Sequence, residues 1–294
     1  MQQALATGAP VVALESTIIT HGLPRPRNLD VALDAERQLR DAGVVPATVG
    51  VVDGECVVGL STDELTALAE DADAVKLSAR DLPMAAAKHL TGGTTVAATA
   101  WLACRAGITV FATGGLGGVH RGASATFDES ADLVALGRCP LVLVSAGVKS
   151  ILDVGATLER LETLGIPVLG WRTTAYPGFY IADSGFRVDY RVDTPDEVAA
   201  IAAARDELGL SAAVLVANPI AEQFQLDKAL HDTVLTQGLA AADAQGIHGH
   251  DVTPFLLDFM QRGTGGESLE ANLAAYRGNI ELAGRIACAI ATRR

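Results

Sequence analysis

Short β-branched runs alternate with Ala/Leu-rich amphipathic stretches along the whole chain. The runs predict strands at Pro10–Leu14, Thr48–Val52, Glu55–Gly59, Ala74–Leu77, Thr109–Ala112, Leu141–Ser145, Val168–Trp171 and Ala213–Ala217. The amphipathic stretches predict helices at Leu29–Asp41, Thr62–Ala72, Leu82–Leu90, Thr95–Ala106, Thr157–Leu164, Pro195–Leu208, Ile220–Gln245 (with a break allowed) and Leu269–Thr292. Ser61-Thr-Asp-Glu64 and Thr194-Pro-Asp-Glu197 each set a hydroxyl at an N-cap and a carboxylate three residues on, so each can satisfy two orphan amides of a helix start. Strands alternating with helices define a layered α/β fold. No repeat, low-complexity tract or Pro/Gly/Ser-rich linker divides the chain, so residues 1–294 are expected to form one domain, with Trp171–Tyr190 an excursion over the site.

Composition narrows the function. A chain of 294 residues that is 49% hydrophobic can bury a core without disulfides or structural metal. Its 22 basic against 35 acidic residues leave a net charge of −13, which disfavours a partner bound through its phosphate backbone and favours a small substrate. Cys56, Cys104, Cys139 and Cys288 lie far apart, without zinc-type spacing, and are read as reduced and cytoplasmic. No apolar run approaches the roughly 20 residues needed to cross a bilayer, and the first residues lack a basic stretch before an apolar one. Neither membrane insertion nor secretion is expected.

Candidate chemistry gathers where strands end, the place at which layered α/β folds bind ligands. Glu15 follows the apolar run Val11–Leu14; desolvation there would raise its pKa and suit it to general acid work, and a salt-bridged carboxylate beneath a loop is the alternative. Phe111–Gly122 is a glycine-rich loop whose backbone amides, with Thr113, His120 and Arg121, suit a phosphate or carboxylate; it is neither a Walker loop nor a dinucleotide fingerprint, and an ordinary turn competes. Only four of the basic residues are lysines, and Lys149 emerges just past Leu141–Ser145, where a neutral amine could attack an aldehyde. Its alternative is neutralisation of Asp128, Asp132 or Asp153. Lys76 ends another strand, and two cations at one pocket lower each other's pKa or bind phosphate. Asp128 and Asp132 with water would suit a hard divalent ion. His248-Gly-His250-Asp251 reads as a metal tract or as a plain turn, and Tyr176, Phe179 and Tyr180 as ring-stacking or core residues.

Taken together, ALESTIITHGLPRPRN (13–28), VKLSARDL (75–82), GGTTVAAT (92–99), FATGGLGGVHRG (111–122), SATFDESADL (124–133), SAGVKSILD (145–153) and SLEANLAAYRGN (268–279) resemble the pseudouridine-5'-phosphate glycosidases over nearly the whole chain. The resemblance implies a layered α/β/α domain with a mixed, mostly parallel sheet, assembled as a homotrimer. It implies reversible cleavage of the C–C glycosidic bond of pseudouridine 5'-phosphate to uracil and ribose 5-phosphate, with one divalent ion, Mn²⁺ or in its place Mg²⁺ or another. By motif, Glu15 corresponds to the proton donor, Lys149 to the Schiff-base nucleophile and Asp128 to the metal ligand. Lys76, Val96, Ser130, Ala131 and Asp132 correspond to substrate contacts, Thr113 and His120 to phosphate or ribose contacts, and Asn272 to a weaker candidate.

The residue types agree with that chemistry. A C–C bond offers no leaving heteroatom for the paired carboxylates of ordinary glycosidases. Capture of C1' by Lys149 gives an electron sink, and protonation of uracil C5 by Glu15 lets the bond break. The sequence departs from the family where Arg25 and Arg27 stand in the loop after Glu15, which leaves base selectivity open, since a loop over the uracil could now present a cation; Tyr176-Pro-Gly-Phe-Tyr180 departs as well. A lysine aldolase or lyase for another phosphosugar, or a phosphosugar-binding regulator, are the rival readings.

Overall fold

The computed structural model describes residues 1–247 and 252–293; the His248–Asp251 tract lies outside the described residues. Ten strands occur among them: β1 (Val11–Leu14), β2 (Val45–Val52), β3 (Glu55–Val58), β4 (Val75–Leu77), β5 (Gly92–Thr94), β6 (Val110–Ala112), β7 (Val142–Ser145), β8 (Val168–Trp171), β9 (Tyr190–Val192) and β10 (Val214–Ala217). They form one sheet in the order β4-β5-β2-β1-β6-β7-β10-β8-β9, with β3 paired to β2.

Alternate residues of the central strands feed two separate cores. Ala13, Phe111, Leu143 and Leu215 face one side, with Ala100, Leu133 and Met260 from the helices Val96–Ala106, Ala131–Leu136 and Val252–Gly263. Leu14, Val110, Val144 and Val216 face the other, with Leu39, Val198 and Ile280 from the helices Arg27–Asp41, Pro195–Glu207 and Glu267–Arg293. Burial on both faces is why these strands read as continuous apolar runs. The α/β/α layering and the mixed, mostly parallel sheet are therefore as expected.

Sheet direction locates the site. From β2 through β9 along that order the pairings are parallel, whereas β5 runs antiparallel to β2. β4 runs parallel to β5. Leu14 at the end of β1 pairs with Thr48 of β2, and Thr94 at the end of β5 bonds Val49 O through its hydroxyl at 2.8 Å. The carboxyl ends of two opposed strand sets thus meet at one level, and the segments leaving them converge.

The pattern left some elements unseen. Gly92–Thr94 carries no apolar signal, and two of the three residues of Tyr190–Val192 are exposed at the sheet edge. The expected Ile220–Gln245 helix is divided into a 3₁₀ turn, Glu222–Phe224, and a helix, Lys228–Ala244, started by the Asp227 carboxylate accepting from Leu230 N at 2.9 Å. Both capping boxes, at Ser61 and Thr194, form.

Candidate active site

Glu15 leaves β1 with only 7% of its surface exposed, and the Thr113 hydroxyl donates to its Oε1. Burial raises the Glu15 carboxyl above its ordinary pKa; Lys149, the Thr113 bond and Lys76 pull it down, and Asp132 pushes it up. Thr113 itself is fixed by β6 and by its backbone N–H donating to Val144 O at 3.0 Å.

Lys149 is reached from β7 by a turn at Gly147, whose φ of +84° and closeness to Pro177 O, 2.5 Å from where a Cβ would sit, admit only glycine without rearrangement. Lys149 N donates to Leu116 O and Leu116 N to Gly147 O, both at 3.1 Å, which joins the amine's segment to the glycine loop. The alternative of a neutralising lysine is weakened by what its proposed partners do. Asp128 faces His120, Asp132 accepts two backbone amides, and Asp153 accepts from Ala156 N at 3.0 Å as a helix cap.

Two cavities meet between these groups. One, of about 130 Å³, is lined by Gly114, Gly115, Phe179, Leu257 and Asn272. The other, of about 360 Å³, is lined by Ser78, Arg80, Val96, His120, Asp128 and Ser130, with Ala131 and Asp132. Glu15, Thr17, Lys76 and Lys149 line both, so the acid and the two amines stand at the junction. Lys76 is open to the cavity yet crowded by its walls, and this desolvation together with Lys149 lowers its ammonium pKa against Asp132 and Glu15.

The acidic segment sorts by partner. The Asp132 carboxylate is buried and accepts from Ala97 N and Gly117 N, both at 2.9 Å, so it fixes the start of the Val96–Ala106 helix and the glycine loop. A Cβ on Gly117 would lie 2.2 Å from Ser130 Oγ, which explains glycine there. Glu129 is engaged by Arg160 at 2.8 Å. Asp128 Oδ2 stands 3.7 Å from His120 Nδ1, and burial lowers the imidazole pKa against the pull of Asp128, with Lys76 and Lys149 adding to the lowering. Among the described residues no three His, Cys, Asp or Glu side chains converge as a cage. Asp128 with His120 beside it fits a largely hydrated hard ion completed by substrate oxygens, as such ions accept one or two carboxylates.

Neither Arg25 nor Arg27 is among the residues that line the two cavities. Arg25 turns its guanidinium to Ala69 O, at 2.9 Å, and to Asp71 O at the end of the Thr62–Glu70 helix. Arg27 pairs with Glu270 at 2.6 Å. Of the aromatic segment, Tyr176 is core, its hydroxyl accepting from Val148 N at 3.0 Å, while Phe179 forms cavity wall. Sequence reasoning passed over Thr17, Arg80 and Asn279. None of the three left a signal of its own in the sequence.

A layered α/β protein with a buried acid and two amines at the meeting point of opposed strand ends has the groups for acid–base and amine chemistry on a small molecule held there. The family is specific: residues 1–289 match the model of the indigoidine synthase A like proteins, and the chain belongs to that family. It is 65% identical over 291 residues, covering 99% of this chain and 96% of the relative, to a pseudouridine-5'-phosphate glycosidase of Saccharopolyspora erythraea. It is 58% identical to the protein of the same name from Frankia alni, covering 100% of this chain and 81% of the relative. Among solved structures, the prealnumycin C-glycosynthase AlnA in complex with ribulose 5-phosphate is 38% identical with a TM-score of 0.92, covering 99% of this chain and 95% of that one. An indigoidine synthase A-like protein from Thermotoga maritima is 39% identical with a TM-score of 0.89, covering 98% and 94%.

Proposed function

We propose that this chain cleaves, reversibly, the C–C glycosidic bond of pseudouridine 5'-phosphate to give uracil and ribose 5-phosphate through a Schiff base on Lys149. The observation that carries the reading is the placement of Glu15 and Lys149 on the wall common to both cavities. One cavity, walled by Phe179 and Asn272, takes the base; the other, with Lys76, Ser78 and Arg80, takes the sugar phosphate. The reacting carbon then lies at the junction.

The neutral Lys149 amine bonds to C1' and displaces the ring oxygen, which takes up a proton as the nitrogen gives one up. Protonated Glu15 delivers its proton to uracil C5, and the nitrogen lone pair becomes the C1'=N bond as C1'–C5 breaks. Uracil leaves. Water adds to the iminium and releases ribose 5-phosphate, restoring the amine. The rise in Glu15 pKa caused by burial keeps the proton available for the first delivery. Asp128, with His120, would hold a divalent ion, Mn²⁺ in this reading; when bound it supplies positive charge to the oxygens of the sugar phosphate.

Further parts of the reading are a homotrimer and a cytoplasmic location. No described helix is long and apolar enough to cross a membrane. Trp101, Phe127 and Val134, exposed by 42%, 86% and 40%, offer apolar surface for a second copy beside the Asp128 segment. The chemistry is tested by mixing the protein with pseudouridine 5'-phosphate and following free uracil, then adding borohydride with ribose 5-phosphate. The expected adduct is a pentitol phosphate on the Lys149 peptide, absent in Lys149→Arg because guanidinium stays protonated. Label on Lys76, Lys88 or Lys228, or an active Lys149→Arg enzyme, overturns the assignment.

A further inference from the structure

Asn279 lies in the Glu267–Arg293 helix, has no exposed surface, and spends its whole side-chain amide on strand ends. Its Nδ2 donates to Thr113 O at 2.8 Å and to Gly114 O at 3.1 Å. Its Oδ1 accepts from Asn218 Nδ2 at 2.9 Å, and Asn218 N donates to Ser145 O at 2.8 Å. One buried amide therefore ties together the segments that leave β6, β10 and β7. A buried amide placed among three chain segments, with both Nδ2 hydrogens and Oδ1 engaged, is costly to lose: truncation takes a donor from the Thr113 carbonyl and an acceptor from Asn218 Nδ2, while Gly114 O keeps Ala146 N at 2.9 Å.

The direct holds are on Thr113 and Gly114, and the Thr113 hydroxyl donates to Glu15. The Lys149 segment shares one of these carbonyls, Ala146 N donating to Gly114 O at 2.9 Å, but has further fastening of its own through the Leu116–Gly147 and Lys149–Leu116 backbone bonds. We infer that Asn279 is a positioning residue for the general acid: through the Thr113 carbonyl it sets the hydroxyl that aims and tunes Glu15, and it acts on proton delivery rather than on imine formation. This rests on the reading of Glu15 as acid and Lys149 as nucleophile.

The two half-reactions separate the roles. Borohydride trapping of ribose 5-phosphate needs Lys149 and no proton on uracil C5, whereas uracil release needs both groups. In Asn279→Ala, uracil release is expected to fall about 10- to 100-fold in kcat, the loss an ångström-scale misplacement brings, with KM within about twofold. Trapping is expected to stay within about twofold of wild type. The groups facing Glu15 are Lys149, Lys76, Asp132, Thr113 and the Tyr276 hydroxyl. Of these, only Thr113 is bonded to Asn279. Thr113's donation favours the carboxylate, so loosening it raises the Glu15 pKa further, and the alkaline limb of kcat/KM moves to higher pH.

Thr113→Val should move the same limb in the same direction, and adding Asn279→Ala to it should cost little more, as expected for two residues acting through one contact. Should Asn279→Ala not fold, Asn218→Ala keeps the Thr113 and Gly114 bonds but frees Oδ1, and a smaller shift of the same limb is expected. The inference is overturned if trapping and uracil release fall in parallel with the pH limb unmoved, if the two variants add fully, or if Asn218→Ala and Asn279→Ala both leave the limb in place. A wild-type protein that releases no uracil instead overturns the reading beneath it.

Discussion

Asp132→Asn separates two roles that one carboxylate could have. Motif resemblance makes Asp132 a substrate contact, while the structure spends both of its oxygens on backbone amides, Oδ1 on Ala97 N and Oδ2 on Gly117 N, each at 2.9 Å. Asparagine has the same shape but one acceptor fewer, and its NH₂ must face one of the two N–H groups. A buried hydrogen bond to a charged group contributes about 1.5–3 kcal/mol, and the orphaned donor adds its own desolvation penalty, so a loss of about 2–4 kcal/mol is expected. For a chain of this size that lowers the melting temperature by roughly 4–16 °C, at about 2–4 °C per kcal/mol. The assay is thermal unfolding of wild type and variant at one protein concentration and pH, followed by circular dichroism, with steady-state kinetics on the folded variant. A variant that melts within about 1 °C of wild type while KM rises tenfold or more would falsify the clamp and return Asp132 to the substrate.

Glu15→Gln keeps the acid's shape without its proton, so uracil release should drop by about 10²–10⁴-fold, whereas borohydride trapping of ribose 5-phosphate persists; a variant within a factor of a few of wild type excludes the acid role. The same substitution has a stability signature. Because burial raises the Glu15 pKa, its protonated form is favoured by folding, and that contribution fades as pH climbs from the ordinary carboxylate range through the raised value; Glu15→Gln should therefore gain on wild type with rising pH in denaturant titrations, and a pH-independent difference contradicts it. Metal removal, verified by elemental analysis, should abolish turnover, and Asp128→Ala should weaken Mn²⁺ binding measured by calorimetry; a fully active metal-free enzyme refutes the ion's role. Arg25→Ala should lower the melting temperature slightly, by the loss of two bonds to helix-end carbonyls, and leave the choice among uracil-like bases unchanged; altered base preference in a variant of normal stability counts against the outward guanidinium.

Legibility in the sequence followed burial. Central strands such as Val142–Ser145 and Val214–Ala217, apolar on both faces, announced themselves, and the carboxyl ends they implied led to Glu15, Thr113 and Lys149. What escaped was whatever depends on partners distant in sequence. Gly92–Thr94 is a strand because β2 and β4 flank it and because its glycines admit close neighbours, Val75 O among them, not because its own residues favour extension. The antiparallel step from β2 to β5, which turns Lys76 back toward Glu15, has no local signature either. Asn279 stands 166 residues from Thr113, and only the folded chain connects them.

The fate of Arg25 shows how a loop departure can leave a site untouched. Read along the chain, a guanidinium ten residues after the acid could be a cation that faces the base. In the fold the same side chain finds the carbonyls left over where the Thr62–Glu70 helix stops, and orphan carbonyls attract a cation more surely than a neutral ring does. Asn28, in the first turn of the Arg27–Asp41 helix, binds Ala69 O as well, at 2.8 Å. The segment is thus tied to that helix end by Arg25 and Asn28, while Thr17, Ile18, His21 and Gly22 line the smaller cavity. Under the proposed function, base recognition then falls to Asn272, Phe179 and the backbone around Gly114, which line the cavity without Arg25.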